Sequence, residues 1–300
     1  MAEKIKVTFL GTGSMIPDAK RNHPAFLLTY KEENILIDCG EGTQVQFRKS
    51  KLNPCKITRI LITHWHGDHT FGLPGLLRTL STSGYTKNLF IYGPKGIKKH
   101  IDEMFIAFGN VENFKVETRE VSGKFFENSD FYLEAERMIH VQPCNAYNFI
   151  LKEKTRIDKK KLRKFKIKEG KHISHLKDKG WMIHNGKKYF VKNLSFIEGG
   201  RKISFVLDTL VNERINPFVR NSDLFVCEAS FSSDLEKLAR EYKHMTSRQA
   251  AEIAKKAQAK RLYLVHLSQR YSNGNDKILN EAKKHFKNTF LPKDLDMVEV

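Results

Sequence analysis

The six residues His64-Trp65-His66-Gly67-Asp68-His69 directly follow the apolar run Ile60-Leu61-Ile62 and put three imidazoles and a carboxylate into one short loop. Imidazole nitrogen and carboxylate oxygen suit zinc and neighbouring transition metals, and a strand that delivers such a cluster into a loop aims its side chains at one point. The fold therefore needs a short buried strand ending in a ligand-bearing loop. His64 and His66, two residues apart, reach one metal together. Asp68 and His69, farther along, reach a second ion a few ångströms away, the arrangement with which two-metal hydrolases hold attacking and leaving oxygens.

The pattern His-x-His-x-Asp-His resembles the motif of the metallo-β-lactamase-fold hydrolases. Other stretches narrow the resemblance. Phe9-Leu10-Gly11-Thr12-Gly13-Ser14, followed by Pro17, Lys20, Arg21 and Asn22, is similar to the amino-terminal segment of ribonuclease Z, a family of endonucleases that trim the 3′ trailer from precursor tRNA. Asp38-Cys39-Gly40-Glu41-Gly42-Thr43-Gln44, Glu228-Ala229-Ser230-Phe231, His244-Met245-Thr246-Ser247 and His266-Leu267-Ser268-Gln269-Arg270-Tyr271 agree with that family and keep its order. The superfamily motif alone leaves many substrates open; the His-x-Thr and His-x-Ser-x-Arg-Tyr stretches point to this nuclease.

Composition is consistent with a polyanionic partner. Lys plus Arg number 53 against 34 Asp plus Glu, a net charge of +19 that favours nucleic acid. A chain of 300 residues buries a substantial core, as one large α/β domain or two smaller ones. Cys39, Cys55, Cys144 and Cys227 are scattered without zinc-knuckle pairing and read as reduced residues of an intracellular protein. Nothing resembles a signal peptide or a membrane span, so a cytoplasmic protein with no membrane partner is expected.

Strands alternate with helices along the chain. Lys4 to Leu10 is a β-rich run; Ala25 to Tyr30 with Asn34 to Asp38 reads as a hairpin; Arg59 to Thr63 is a short buried strand. Leu73 to Ser81 and Lys95 to Phe108 read as helices around a strand at Leu89 to Tyr92, and Phe114 to Phe149 holds several short strands. Runs at Ile203 to Leu207, Leu224 to Cys227 and Arg261 to Val265 each end at a suspected functional residue, with helices expected at Ser247 to Lys260 and Asn275 to Lys287. Such interleaving implies a layered α/β architecture. The resemblance makes it a single domain over 1–300 with a four-layer αβ/βα sandwich and its site along one edge of the two sheets.

Residues 151–193 break the pattern. They hold sixteen Lys and Arg against four Asp and Glu, which is +12 of the net charge, and little periodic apolar pattern. The hydrophobes Leu162, Phe165, Ile167, Ile173, Leu176, Trp181 and Ile183 suffice for a small hairpin-and-helix module but hardly for an independent core. In ribonuclease Z an insertion at this place forms a flexible arm that grips the elbow of tRNA. The resemblance thus implies a tRNA-binding arm here, with Lys159, Lys160, Lys161, Arg163 and Lys164 as candidate phosphate contacts, since lysine supplies charge without fixed geometry. The histidines of this stretch, His172, His175 and His184, are expected to face solvent or RNA. The family's Gly-Pro pair is missing: no proline occurs between Pro143 and Pro217.

The resemblance also completes the ligand set and the chemistry. His140 would join His64 and His66 on a first zinc ion, His266 would join Asp68 and His69 on a second, and Asp208 would bridge them, with manganese or iron as alternatives. Here Leu207 stands where the family commonly has Gly before that aspartate. Asp68 is expected to orient the attacking water as well as to bind metal. His244 resembles the family's general acid, held and kept protonated by Glu228. Lys20, Arg21, Asn22 and Arg270 are candidate contacts to phosphate or to the RNA 3′ end. The implied function is a zinc-dependent, homodimeric endoribonuclease acting on precursor tRNA. The alternatives are a phosphodiesterase or sulfatase of the same fold acting on small substrates, and a non-catalytic RNA-binding relative.

Overall fold

Apolar runs of β-branched and aromatic residues build two seven-stranded mixed sheets, seen in a computed structural model that describes residues 3–16, 18–168, 170, 173, 176, 179–272 and 276–300. His172, His175, Pro17 and Asn275 lie outside the described residues. The first sheet contains β1 (Lys6–Gly11), β2 (Ala25–Tyr30), β3 (Glu33–Ile37), β4 (Arg59–Leu61), β5 (Leu89–Gly93) and β6 (Val116–Glu120), with β18 (Met297–Glu299) outside β1. β1 to β3 run antiparallel and β3 to β6 parallel. The second contains β7 (Gly123–Glu127), β8 (Phe131–Met138), β9 (Cys144–Leu151), β14 (Arg201–Val206), β15 (Leu224–Glu228), β16 (Leu262–Val265) and β17 (Thr289–Phe290), parallel from β14 to β17.

Each sheet buries its outer face under helices. Leu73, Leu76, Leu77 and Leu80 of the helix Gly72–Thr82, with Ile97, Ile101 and Met104 of Ile97–Phe108, pack on Leu36, Ile60, Ile62 and Ile91. Ala250, Ala251, Ile253 and Ala254 of Ser247–Lys256, with Ile278 and Ala282 of Asp276–His285, cover Phe225, Cys227, Leu262 and Leu264. The facing sides of the sheets meet through aromatic rings: Phe26 lies 6.0 Å from Phe205, Tyr30 5.8 Å from Phe149, and the Tyr147 hydroxyl donates to the Ile62 carbonyl at 2.7 Å. The result is the four-layer αβ/βα order. A core truncation such as Leu76→Ala, in side chains this closely packed, costs about 2–5 kcal/mol.

Helix ends depart from the sequence reading for local reasons. The helix expected to reach Lys260 stops at Lys256, because Gln258 takes a left-handed φ of 56° and the Ala257 carbonyl is capped by Asn221 N–H. At its other end Thr246 and Gln249 form a reciprocal capping box. All four cysteines are free.

Residues 3–150 and 202–300 form one compact unit, and residues 151–201 form another. The second unit opens with a two-stranded stem, β10 (Lys154–Ile157) antiparallel to β13 (Ser195–Glu198). It also carries the helix Lys159–Lys164, capped by the Asp158 side chain, and a hairpin of β11 (Trp181–His184) and β12 (Lys187–Phe190). The expectation that its hydrophobes would hardly make an independent core is corrected. Leu162, Ile167, Leu176, Met182 and Leu194 form a buried cluster of their own, with Ile157, Ile173, Tyr189 and Val191 packed on it. Part of that cluster, Leu194 and Val191, comes from residues whose apolar side chains are separated in sequence by the basic run, which is why periodicity missed it.

Candidate metal centre

The parallel strands deliver the site, because their carboxyl ends stop at one edge of each sheet. Asp38 follows β3, Thr63 and His64 follow β4, Asp208 follows β14, Glu228 ends β15 and His266 follows β16. Asp38, Asp208 and His266 all adopt left-handed backbone, with φ of 55°, 30° and 58°. Such a conformation strains a non-glycine residue by on the order of 1–3 kcal/mol, least for Asp and Asn, and persists where the surroundings over-determine it. Here the strand stops abruptly and its next side chain turns into the site.

Seven side chains converge. His64, His66, His140 and Asp208 form one group of potential ligands, and Asp68, His69 and His266 form another. His66 Nδ1 lies 2.9 Å from His64 Nε2 and 3.3 Å from His140 Nε2; His69 Nε2 lies 3.3 Å from His266 Nε2. Asp208 sits between the groups. Its Oδ2 is 3.6 Å from His64 Nε2, and its Oδ1 is 3.2 Å from His266 Nε2 and 3.5 Å from His69 Nε2. Asp68 Oδ2 approaches His266 Nε2 at 3.3 Å and His69 Nε2 at 3.4 Å.

The outward-facing ring nitrogens are tied down. His69 Nδ1 meets Asp38 Oδ2 at 2.7 Å, His64 Nδ1 meets Thr63 Oγ1 at 3.1 Å, His266 Nδ1 meets Ser230 Oγ at 2.8 Å, and His140 Nδ1 donates to the Lys243 carbonyl at 3.2 Å. Fixing one ring nitrogen presents the other to a metal and raises its basicity. Asp38 is itself held by the Thr63 N–H at 2.7 Å. The loop carrying it lies flat on the metal loop: a Cβ at Gly40 would come 2.4 Å from the Asp68 carbonyl oxygen, and one at Gly72 2.0 Å from that of Gly40. Glycine is the residue that permits both approaches.

The donor chemistry fits a divalent cation. Imidazole nitrogens that face one another at these distances cannot all carry protons, yet they can all direct lone pairs at a common ion. Burial pushes the pKa of His64, His66 and His140 down and keeps them neutral, the form that binds metal. Around His69 burial is outweighed by Asp208, Asp68 and Asp38, which raise its pKa well above the ordinary value. Burial likewise opposes ionisation of Asp208, but His266, His69 and His244 hold its carboxyl well below the usual range. The second group therefore favours positive charge. Asp208 Oδ1 is buried with no hydrogen bond, an orphan that a cation would satisfy.

His244 stands beside this centre, its Nδ1 3.0–3.1 Å from both oxygens of fully buried Glu228. Glu228 also accepts from Thr209 N–H at 2.6 Å and from Ser230 Oγ at 2.7 Å. Burial lowers the His244 pKa, but Glu228 first and Asp208 second reverse it and bring it to about 9. An imidazole so held is a proton donor at neutral pH.

A cleft of about 460 Å³ opens over His66, Asp68, His140, Asp208, His244 and His266. Arg270 lines it, with its guanidinium 5.7 Å from the Phe231 ring. From the amino-terminal segment Ser14, Met15 and Ile16 line the cleft. Lys20 is exposed, whereas Arg21 is buried and donates to Thr12 Oγ1 at 2.5 Å and to the Pro292 carbonyl at 2.8 Å. That placement corrects the expected RNA contact at Arg21: it braces the turn whose Thr12 carbonyl accepts from His266 N–H at 2.9 Å. Asn22 is half-buried, and its Nδ2 donates to the Glu41 carbonyl at 2.6 Å in an exposed hydrogen bond. In the second unit Lys159, Lys160, Arg163 and Lys164 are exposed, and Lys161 donates to the Ser195 carbonyl at 3.0 Å.

Sequence reasoning assigned no role to Asp38, Thr63 or Ser230. Asp38 had a usable signal, an acid placed directly after a buried strand just as Asp208 is. The apolar cleft wall of Met15, Ile16, Val141, Phe231 and Tyr242 had none.

Residues 5–277 match the family model described as Anti-Pycsar protein Apyc1. The chain is 38% identical over 301 residues to ribonuclease Z of Bacillus cereus strain G9842, covering 97% of this chain and 98% of that protein. The solved short form of human tRNase Z is similar at 28% identity and a TM-score of 0.70, with 98% of each chain covered. The metallo-β-lactamase fold protein YhfI from Bacillus subtilis shares the fold at a TM-score of 0.73 and 19% identity, over 100% of both chains.

Proposed function

The chain belongs to the ribonuclease Z family, and to the family described as Anti-Pycsar protein Apyc1, and from that premise we propose that it is a metal-dependent endoribonuclease that removes the 3′ trailer from precursor tRNA. The observation that carries this reading is the pairing of a cluster of seven potential metal ligands with the Glu228–His244 hydrogen-bonded couple beside it.

His64, His66 and His140 would hold one zinc ion, Asp68, His69 and His266 a second, and Asp208 would be shared, its two oxygens facing the two groups. When bound, such ions supply Lewis acidity and lower the pKa of a water molecule. The protein's own groups do the rest. Asp68 orients the attacking water for in-line approach to the phosphorus between tRNA and trailer. His244 gives its proton to the departing 3′ oxygen, and Glu228 holds the ring and keeps it charged until then. Arg270, on the cleft wall, neutralises phosphate. The products are a tRNA ending in a 3′-hydroxyl and a trailer beginning with a 5′-phosphate.

The unit 151–201, carrying +12 of the chain's net charge of +19, serves as the arm that binds tRNA away from the scissile bond. The reading includes a cytoplasmic location and a homodimer in which a second copy covers the exposed helix end at Ile106 and Phe108; among the described residues no helix is long and apolar enough to cross a membrane. The deciding experiment compares turnover of a labelled precursor tRNA with that of a small chromogenic phosphodiester. Efficient trailer removal with weak small-substrate turnover supports the nuclease. The reverse ratio establishes the small-substrate phosphodiesterase in its place.

A further inference from the structure

The hairpin β11–β12 has two unlike faces. Pairing Trp181 with Phe190, Met182 with Tyr189 and Ile183 with Lys188 puts Trp181, Ile183, Lys188 and Phe190 on one side and Met182 and Tyr189 on the other. The second side packs into the small core with Leu162, Ile167 and Leu194. The first faces solvent, with Trp181 38%, Phe190 43% and Ile183 63% exposed. Lys188 Nζ lies 4.2 Å from the Trp181 ring centroid and 5.3 Å from that of Phe190; Lys192 Nζ lies 5.9 Å from the latter.

Aromatic residues suit strands, and a cross-strand pair steadies a hairpin. That purpose is already met by the inward face, which supplies this unit's core. Leaving two large rings and an isoleucine side by side in water is what a contact surface does. Charge decides the partner: within a segment of net +12 the surface repels a second copy of itself and attracts a polyanion. Among polyanions, rings add nothing to phosphate binding but stack on nucleobases, and Lys188, whose ammonium lies over the Trp181 ring, leaves that face for the adjoining phosphate when a base takes its place.

We propose that the outer face of the β11–β12 hairpin is a nucleobase-stacking site, in which Trp181 and Phe190 pack on an exposed base or terminal base pair of folded RNA while Lys188 pairs with its phosphate. The proposal rests on the precursor-tRNA reading and adds to it that the arm recognises bases as well as charge.

The test uses the full chain and measures tRNA affinity by filter binding across a salt series, heparin affinity as a polyanion without bases, and hydrolysis of a small phosphodiester. Trp181→Ala with Phe190→Ala weakens tRNA binding by roughly 10- to 100-fold with an unchanged salt slope, because stacking releases no counterions. Heparin affinity and small-substrate hydrolysis stay at the wild-type level. The Trp181→Tyr, Phe190→Tyr variant restores tRNA binding, which separates stacking from a folding defect. Lys188→Gln lowers the salt slope by about one. If the double alanine variant binds tRNA like wild type while deletion of 152–192 abolishes binding, the stacking site is refuted and the arm stands. If the deletion is silent too, the arm reading itself fails. Equal losses for tRNA and heparin, or dependence on the two rings only for binding to anionic phospholipid vesicles, also overturn the proposal.

Discussion

Replacing Glu228 by Gln isolates the charge that keeps His244 protonated. Glutamine keeps the shape of Glu228 and the acceptor for the Thr209 N–H at 2.6 Å, so the loop that follows Asp208 is retained. What disappears is the largest of the charges that lift the His244 pKa to about 9 against the effect of burial. The variant imidazole then titrates near the ordinary 6.5, about 2.5 pH units lower. If the protonated form is the donor, the ratio of wild-type to variant rate is near one at pH 6, roughly fourfold at pH 7 and on the order of 80-fold at pH 8.5. The sign is fixed by the direction of the shift: activity is lost as pH rises, through about 9 in the wild type and earlier in the variant. A bound cation lowers both titrations, so the displacement between the profiles is the quantity to measure. Single-turnover cleavage of labelled precursor tRNA at constant ionic strength reads it directly. Coincident alkaline limbs, with the variant merely slower at every pH, would refute the assignment of His244 as a donor poised by Glu228.

Asp208→Ala or His66→Ala should empty the centre and abolish cleavage while circular dichroism stays near wild type; elemental analysis that finds no transition metal in active wild-type protein would end the metal reading. Asp38→Asn leaves every ligand in place but weakens the hold on His69, and should lower metal affinity about 10- to 100-fold by competition with a chelating dye. Deleting 152–192 with a short linker should weaken tRNA binding and flatten its salt dependence while sparing a small phosphodiester, which parallel binding and hydrolysis assays will show. End-group analysis of the products should find a 3′-hydroxyl and a 5′-phosphate, and a 2′-deoxy substitution at the cleavage position should slow the reaction without stopping it; a 2′,3′-cyclic phosphate would mean that the RNA's own hydroxyl attacks.

Local sequence carried much of this molecule because strand ends and ligands coincide in it. The runs before His64, Asp208, Glu228 and His266 are short, apolar and abruptly ended, so both the strand and the residue it presents are legible together. Ala25–Tyr30 was readable to its ends for the same reason. What escaped depends on contacts distant in sequence. β18 was not foreseen, since Met297–Glu299 has no strand pattern of its own and is ordered by pairing with Lys6–Thr8. The helix Thr43–Lys49 was hidden behind the glycines of its capping turn, where Gly42 takes a φ of 75°. Arg21 reads as a surface cation in any local window; only the packing of Thr12, Pro292 and Asp294 around it shows that it is buried.

The stem that opens the second unit bears on how the chain folds. β9 and β14 are neighbours in their sheet although 49 residues separate Leu151 from Arg201. An unstructured connection of that length makes their pairing a long-range closure. Because β10 and β13 pair from Lys154↔Glu198 onward, the inserted unit brings its own two ends together. Once it has folded, the rest of the chain meets a connection only a few residues long, and the closure entropy falls by about 2 kcal/mol on the logarithmic dependence on loop length. The insertion thereby becomes nearly invisible to the folding of the sandwich around it, whatever its own length or charge.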